Sequence, residues 1–163
     1  MKTVHFDGET YPALQTNGQA SRFAIPFAKE MLSGNGLDIG CNRPEWAFPG
    51  SIMIDTEIQD DYDAFNLPEG EFDYIFSSHC LEHIPDWVGA LDYWNTRLRV
   101  GGTMFLYLPH YSQKYWRPWN NRKHINILQP EYLKEYFQTR GYQDIMVTGH
   151  DLYNAFYAVA NKT

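Results

Sequence analysis

The segment Glu71–Ser78 has the sequence EFDYIFSS, which is the clearest buried-strand pattern in the chain. Asp86 follows it as the predicted N-cap of a helix. Apolar side chains share one face of that helix: Trp87, Val88, Leu91, Trp94 and Leu98. Gly101-Gly102 is predicted to end the helix, and Thr103–Leu108 (TMFLYL) is the next strand. A strand, a helix and a second strand in this order predict two parallel strands joined by a crossover helix.

The rest of the chain from Leu37 onward repeats this alternation of short apolar runs and helical stretches. Helices are predicted over Ser21–Leu32, which contains Pro26, and over Pro130–Arg140. The other predicted strands are Leu37–Gly40, Ser51–Asp55, Asp63–Phe65, Gln143–Thr148 and Asn154–Ala160. The sequence therefore predicts an α/β fold with a Rossmann-like open, mostly parallel sheet and crossover helices.

The size and composition predict a single domain over residues 1–163. The formal net charge is −7 and the pI is near 5.2, which argues against nucleic acid as a partner because phosphate backbones attract basic surfaces. The two cysteines, Cys41 and Cys80, fit a reducing compartment. No apolar run approaches the roughly 18 residues that would span a membrane. We therefore expect a cytoplasmic protein with no membrane partner.

Two segments lack a clean periodicity. Residues 1–18 are polar and irregular, which predicts an N-terminal arm. Residues 110–129, here called the lid, are aromatic and polar, and a loop of this length in a compact domain is typical of a lid or binding loop. The rings of Trp116 and Trp119 either pack the lid onto the core or form a platform for a substrate. We expect the substrate side of the site beneath this lid.

Acidic residues follow three successive predicted strands. Asp38 lies in the first strand just before Gly40, Asp55 ends the second, and Asp63 lies in the third. In an open parallel sheet, ligands bind outside the carboxyl ends of the strands. Gly40 lets the backbone approach a ligand closely, and an acid that ends the second strand can accept hydrogen bonds from a ribose diol. The arrangement predicts a nucleoside cofactor.

The loop after the first strand indicates which kind of nucleoside cofactor binds. A pyrophosphate needs glycines between strand and helix, in the pattern G-x-G-x-x-G. Here Gly34 and Gly36 precede the strand, and Gly40 is followed by Cys-Asn-Arg-Pro-Glu. A cofactor without a phosphate group therefore fits better than a dinucleotide.

Three motifs resemble those of a known family. The stretch Leu37–Cys41 (LDIGC) resembles motif I of class I S-adenosylmethionine-dependent methyltransferases. Glu71–Ile84 (EFDYIFSSHCLEHI) is similar to the fourth-strand motif of the type 11 group, and Arg99-Val100-Gly101-Gly102 matches that group's turn from helix to strand. The resemblance implies an abbreviated class I methyltransferase fold with an antiparallel last strand. It also implies S-adenosylmethionine as the cofactor and methyl transfer as the activity.

The resemblance further implies roles for matching positions. Cofactor contacts are implied for Asp38 and Gly40 (the methionine end), Asp55 (the ribose), Asp63 and Ala64 (the adenine), and Ser77 and Ser78 (the opposite wall). The chain departs from the family pattern at two places. Asn42 and Arg43-Pro44 replace further glycines of motif I, and the helix normally found between strands two and three is nearly absent.

A hydroxyl acceptor needs a base, and histidine has a suitable pKa. His110 follows the fifth strand where the lid begins, and His83 follows the fourth strand beside the expected sulfonium. We expect one of them to deprotonate or orient an oxygen or nitrogen of the acceptor, although each is as well explained as a structural histidine. By analogy with type 11 domains, the acceptor is a small or saccharide-like molecule.

Two alternatives stay open. A shortened scaffold could bind S-adenosylmethionine without catalysis. In addition, His79-Cys80-Leu81-Glu82-His83 matches the H-x-x-E-H zinc pattern of a class of peptidases. That pattern requires a continuous helix, and this stretch begins directly after a buried strand and is followed by Pro85. We therefore expect no bound metal here.

Overall fold

A six-stranded sheet forms the centre of the computed structural model, which describes residues 1–163. Two other strands, β1 (Thr3–Phe6) and β2 (Glu9–Pro12), form a separate hairpin. The central strands are β3 (Gly36–Ile39), β4 (Ile52–Ile54), β5 (Phe72–Ser78), β6 (Leu98–Pro109), β7 (Gln143–Val147) and β8 (Ala155–Asn161). They lie in the order β4-β3-β5-β6-β8-β7.

Four neighbouring strands of this sheet are parallel. β3 pairs with β4 and with β5, and β5 pairs with β6 in the register Ser77↔Leu106. β8 is antiparallel to both β6 and β7. The predicted fold class is therefore confirmed, including the antiparallel last strand.

Helices cover both faces of the sheet. They are α2 (Ser21–Met31), α3 (Trp87–Arg97) and α4 (Pro130–Thr139), and a short α1 (Ala13–Thr16) precedes them. Side chains of β5 alternate between the faces: Ile75 packs with α3 and α4, whereas Tyr74 and Phe76 face α2. No helix combines the length and hydrophobicity that crossing a membrane requires.

The segment between β4 and β5 contains no third strand, so the strand predicted over Asp63–Phe65 is wrong. Asp63 forms only an isolated bridge with Asn66. Helix α3 supports the segment instead, because the indole Nε1 of the fully buried Trp94 donates to the Ala64 carbonyl at 2.8 Å. The Leu67 amide likewise donates to the Tyr93 hydroxyl at 3.0 Å.

The N-terminal arm is ordered, contrary to the irregular structure predicted for residues 1–18. β1 and β2 are joined at Asp7-Gly8, where both residues have positive φ angles of 48° and 80°. Asp-Gly is a strong signal for a tight hairpin turn, so this hairpin was predictable from the sequence. Strand β6 also begins earlier than predicted, at Leu98, and Gly101-Gly102 lies within it instead of ending α3.

We expect Trp94→Phe to lower the free energy of unfolding by about 3 kcal/mol, because it leaves the Ala64 carbonyl unpaired and opens a cavity. Urea unfolding followed by far-ultraviolet circular dichroism measures the change. Trp119→Phe is the matched control, since Trp119 is 73% exposed and its loss should cost less than about 0.5 kcal/mol. Equal free energies of unfolding for the two variants would show that Trp94 does not support the segment between β4 and β5.

Candidate cofactor and acceptor site

A cleft of about 890 Å³ opens at the carboxyl ends of β3, β4 and β5. Its floor is formed by residues at or just after the ends of these strands: Gly40, Asn42, Asp55, Thr56, Glu57, Ser78, His79, Cys80 and His83. Two other segments cover it, residues 15–18 at α1 and residues 121–125 of the lid, together with Trp116. A second cavity of about 210 Å³ adjoins it, and Gly40, Asp55, Cys80 and His83 line both. The predicted position of the site, outside the carboxyl ends of the strands, agrees with this geometry.

The conformation of Gly40 and its neighbours both require glycine at this position. Its φ angle is +86°, and its amide donates to the Ile54 carbonyl at 2.9 Å. A Cβ atom at this position would lie 2.5 Å from the Cys80 sulfur. Only glycine therefore lets the turn after β3 lie against the turn after β5.

Asp55 connects the loops that follow β3 and β4. Its Oδ2 accepts a hydrogen bond from the Asn42 amide at 2.7 Å, and its Oδ1 accepts one from the Glu57 amide at 2.9 Å. Asn42 itself has a positive φ of 63°. The carboxylate thus has a fixed orientation at the edge of both cavities, and its remaining lone pairs can accept hydrogen bonds from a ligand.

Asp38 and Ser77 lie beneath the cleft and do not line it. Asp38 is 1% exposed, and its Oδ2 accepts from the Phe48 amide at 2.6 Å. Burial, together with the nearby charge of Asp55, raises the pKa of Asp38 to about 7. The Ser77 hydroxyl donates to the Ile39 carbonyl at 2.8 Å, which ties β5 to β3. Both side chains support the floor of the cleft from within the protein.

The other three predicted cofactor residues lie at the cavities. Ser78 lines the large cleft, and its buried hydroxyl has no hydrogen-bond partner within the protein. Asp63 and Ala64 line the smaller cavity. Although no strand holds these two residues, the bond from Trp94 to the Ala64 carbonyl places them there.

The two predicted base candidates are not brought together. His83 lines both the cleft and the adjoining cavity. His110 lines a separate cavity of about 20 Å³ on the other side of Trp116, where its Nδ1 lies 2.8 Å from the Ser112 hydroxyl. Burial, with a smaller contribution from His150, lowers the pKa of His110.

The lid has no helix or strand, as predicted, and hydrogen bonds anchor it at two points along its length. The Tyr11 hydroxyl of the N-terminal hairpin accepts hydrogen bonds from the Lys114 amide at 3.1 Å and the Tyr115 amide at 3.2 Å. Further along, the Asn126 side chain donates to the Ile84 carbonyl at 2.6 Å. No sequence pattern indicated that residues 15–18 belong to the cleft, because only the folded hairpin brings α1 over it.

The H-x-x-E-H stretch does not form the helix of a zinc peptidase. β5 ends at Ser78, His79 has a φ of +50°, and Leu81–His83 is a single 3-10 turn. Glu82 is fully buried, so it is withheld from water in the cleft, and burial raises its pKa to about 7. The expectation that this stretch is no continuous helix is confirmed.

A family model for the methyltransferase domain matches residues 18–147. The chain therefore belongs to the methyltransferase-domain family, which confirms the resemblance to class I S-adenosylmethionine-dependent methyltransferases. A comparison with curated proteins gives no significant sequence match.

Solved structures show the same fold at low sequence identity. A SAM-dependent methyltransferase of Archaeoglobus fulgidus is 14% identical with a TM-score of 0.67, over 87% of this chain and 94% of that one. A SAM-dependent methyltransferase of Thermotoga maritima is 15% identical with a TM-score of 0.69, over 92% and 93%. Phosphoethanolamine N-methyltransferase 2 of Haemonchus contortus, solved with S-adenosyl-L-methionine, is 15% identical with a TM-score of 0.61, over 90% and 52%. S-adenosylmethionine, the predicted cofactor, is the cofactor of this class of protein.

We expect Gly40→Ala to weaken S-adenosylhomocysteine binding at least tenfold, because the new methyl group would push the turn after β3 away from Cys80. Isothermal titration calorimetry measures the affinity. Gly50→Ala is the matched control, since Gly50 has the same φ of +86° but nothing within 4 Å of an added Cβ. That variant should lose only about 1 kcal/mol of stability. If both variants bound S-adenosylhomocysteine with the same affinity, binding would not depend on the close approach of Gly40 to Cys80.

Asp38→Asn should become more stable relative to the wild type as the pH rises from about 4 to about 7. Asp38 has its pKa raised from 3.8 to about 7, so over this range the folded state holds a proton that the unfolded state releases. Folding stability from this group then falls by up to about 1.4 kcal/mol per pH unit. Denaturant unfolding at several pH values measures the difference between the two proteins. A difference that does not change with pH would contradict the burial of an ionisable Asp38.

Proposed function

We propose that this protein transfers the methyl group of S-adenosylmethionine to an oxygen or nitrogen of a small-molecule or saccharide-like acceptor bound in the 890 Å³ cleft. The observation that carries the proposal is the cleft at the carboxyl ends of β3, β4 and β5, with Gly40 and Asp55 on its floor. In this proposal residues 1–163 act as one methyltransferase domain, with residues 1–18 and the 110–129 lid covering the cleft.

The cofactor is proposed to extend across both cavities. The Asp55 carboxylate is oriented by two backbone amides and would accept hydrogen bonds from the ribose hydroxyls. Asp63 and Ala64 in the smaller cavity would face the adenine. Gly40 and Ser78 would lie along the methionine end, while Asp38 and Ser77 hold the strands beneath it.

Methyl transfer requires alignment and exclusion of water more than it requires reactive side chains. A lone pair of the acceptor attacks the methyl carbon, the bond between that carbon and sulfur breaks, and the bonding electrons stay on sulfur. A hydroxyl or protonated amine acceptor also loses a proton. His83, which lines both cavities, is the residue proposed to orient the acceptor and assist this loss. His110 lies outside the cleft and is given no contact with the acceptor.

The lining of the cleft supports a polar acceptor. Three of its 19 residues are hydrophobic, and the lid contributes Asn121, Arg122 and Lys123. Trp116 is the aromatic residue on this surface. Hydroxyl-rich molecules such as saccharides bind through many hydrogen bonds, and this polar lining offers donors and acceptors for them. The free cysteines Cys41 and Cys80 support a reducing, cytoplasmic location, and the acidic net charge supports a partner other than nucleic acid.

We expect the purified protein to bind S-adenosylhomocysteine, and Asp55→Asn to weaken that binding at least tenfold because it removes the charged acceptor of the ribose hydroxyls. Asp60→Asn, an exposed residue outside both cavities, is the control. Calorimetry measures binding, and transfer of a radiolabelled methyl group to a panel of saccharide and amine acceptors measures activity. Binding without transfer to any acceptor would favour a non-catalytic cofactor-binding module, and absence of binding would overturn the proposal.

A further inference from the structure

Three side chains outside the cofactor positions converge at the base of the lid. Glu82 and His83 lie in the turn after β5, and His124 comes from the lid. One carboxylate oxygen and one ring nitrogen from each histidine all lie within 4.8 Å of one another. We call these three residues the Glu82 cluster.

Glu82 lies in an environment that gives its negative charge no hydrogen-bond donor. Its side chain is fully buried, and neither carboxylate oxygen has a hydrogen-bond partner within the protein. The nearest basic side-chain nitrogens are His79 Nδ1 at 3.6 Å and His83 Nε2 at 3.7 Å, both beyond hydrogen-bond distance from Oε1. A buried carboxylate without donors is costly, and native proteins normally pair it or use it to bind a metal ion.

His83 presents a lone pair toward Glu82. Its Nδ1 lies 2.6 Å from the carbonyl oxygen of Lys123, which can only accept a hydrogen bond. Nδ1 therefore bears the proton, and Nε2, the nitrogen that faces Glu82, is the free acceptor in the neutral ring. Metal-binding histidines are oriented in this way, with the second ring nitrogen donating to a carbonyl or carboxylate.

His124 is fixed in position by the lid. Its ring is stacked on Trp116 at 4.9 Å with an interplanar angle of 8°, and it meets the His83 ring edge-on at 4.6 Å. The amides of Ile125 and Asn126 donate to the backbone carbonyl of Glu82 at 2.9 and 3.0 Å. The lid is thus bonded to the turn that carries the other two residues, and these bonds hold His124 near them.

We propose that Glu82, His83 and His124 bind a divalent transition-metal ion of the zinc class. Two imidazole nitrogens and one carboxylate oxygen form the donor set of open zinc sites, which leave one coordination position free. Mg²⁺ and Ca²⁺ prefer oxygen ligands and fit this set poorly. This proposal replaces the expectation from the sequence that no metal binds here. The peptidase pattern assigned the ligand role to His79 and His83, whereas here the second histidine comes from the lid.

The free position of the ion faces the cleft. His83 and His124 line the cleft, whereas Glu82 lies behind them. An acceptor hydroxyl bound at that position would release its proton to solvent near neutral pH, and its oxygen would then attack the methyl carbon as the carbon–sulfur bond breaks. This second role rests on the proposed function, and in it the ion replaces His83 as the group that assists loss of the proton, because both ring nitrogens of His83 are then occupied. Binding of the ion does not rest on the proposed function.

The test is a zinc titration of the full chain, prepared without a polyhistidine tag and stripped with a chelator. Competition with a chromogenic zinc indicator should give one equivalent bound, and Co²⁺ in its place should give visible absorption bands from nitrogen and oxygen ligation. We expect His124→Ala and Glu82→Gln each to weaken Zn²⁺ binding at least 100-fold. His150→Ala, an exposed histidine outside the cluster, should bind as the wild type does.

Thermal unfolding with and without Zn²⁺ shows whether each variant is folded and whether the ion stabilises it. Binding that is equal in His124→Ala and the wild type, or stabilisation by millimolar Mg²⁺ in the absence of any zinc binding, would overturn the proposal. No cofactor or acceptor is present in these measurements. Zinc binding without methyl transfer would therefore leave the metal site intact and count only against the proposed activity.

Discussion

The close approach of Gly40 to Cys80 is the constraint on which the cleft depends. A Cβ at position 40 would lie 2.5 Å from the Cys80 sulfur, so the turn after β3 and the turn after β5 share one narrow space. Parallel pairing of β3 with β5 brings the two turns to the same edge of the sheet. Asp55 then fixes the first turn from the other side through the Asn42 amide. The floor of the site is therefore built from contacts between three adjacent strand ends, in which side chains of the turns after β4 and β5 meet the backbone of the turn after β3.

The shortened segment between β4 and β5 holds Asp63 and Ala64 at the site although it contains no strand. A further strand would have held Asp63 and Ala64 through a hydrogen-bonded ladder. Here one indole bond from Trp94 and one hydroxyl bond from Tyr93 hold the segment against α3. Because Trp94 is fully buried, its bond to Ala64 is shielded from competing water. Packing against a helix thus replaces pairing within a sheet.

Sequence patterns predicted those features that depend on local order. The buried run of β5, the glycine after β3 and the acid after β4 each lie within a few residues of the strand that positions them. The Asp7-Gly8 hairpin was also local, but its flanking strands are short and polar, so their alternation was weak. The association of His124 with His83 was not predictable from spacing. It depends on how the lid folds back, and that path is set by hydrogen bonds to the carbonyls of Glu82 and Ile84.

Burial of Glu82 links the lid to the chemistry of the site. The lid lies over Glu82 because two lid amides donate to the Glu82 backbone carbonyl. This contact shields the carboxylate from water but gives it no hydrogen-bond donor. A negative charge in that position opposes closure, and a cation shared with His83 and His124 favours it. Any ion that binds only the closed form stabilises that form by mass action. Contact of the lid with this turn and ligation of the ion would then favour each other, because both require His124 to lie against the turn after β5.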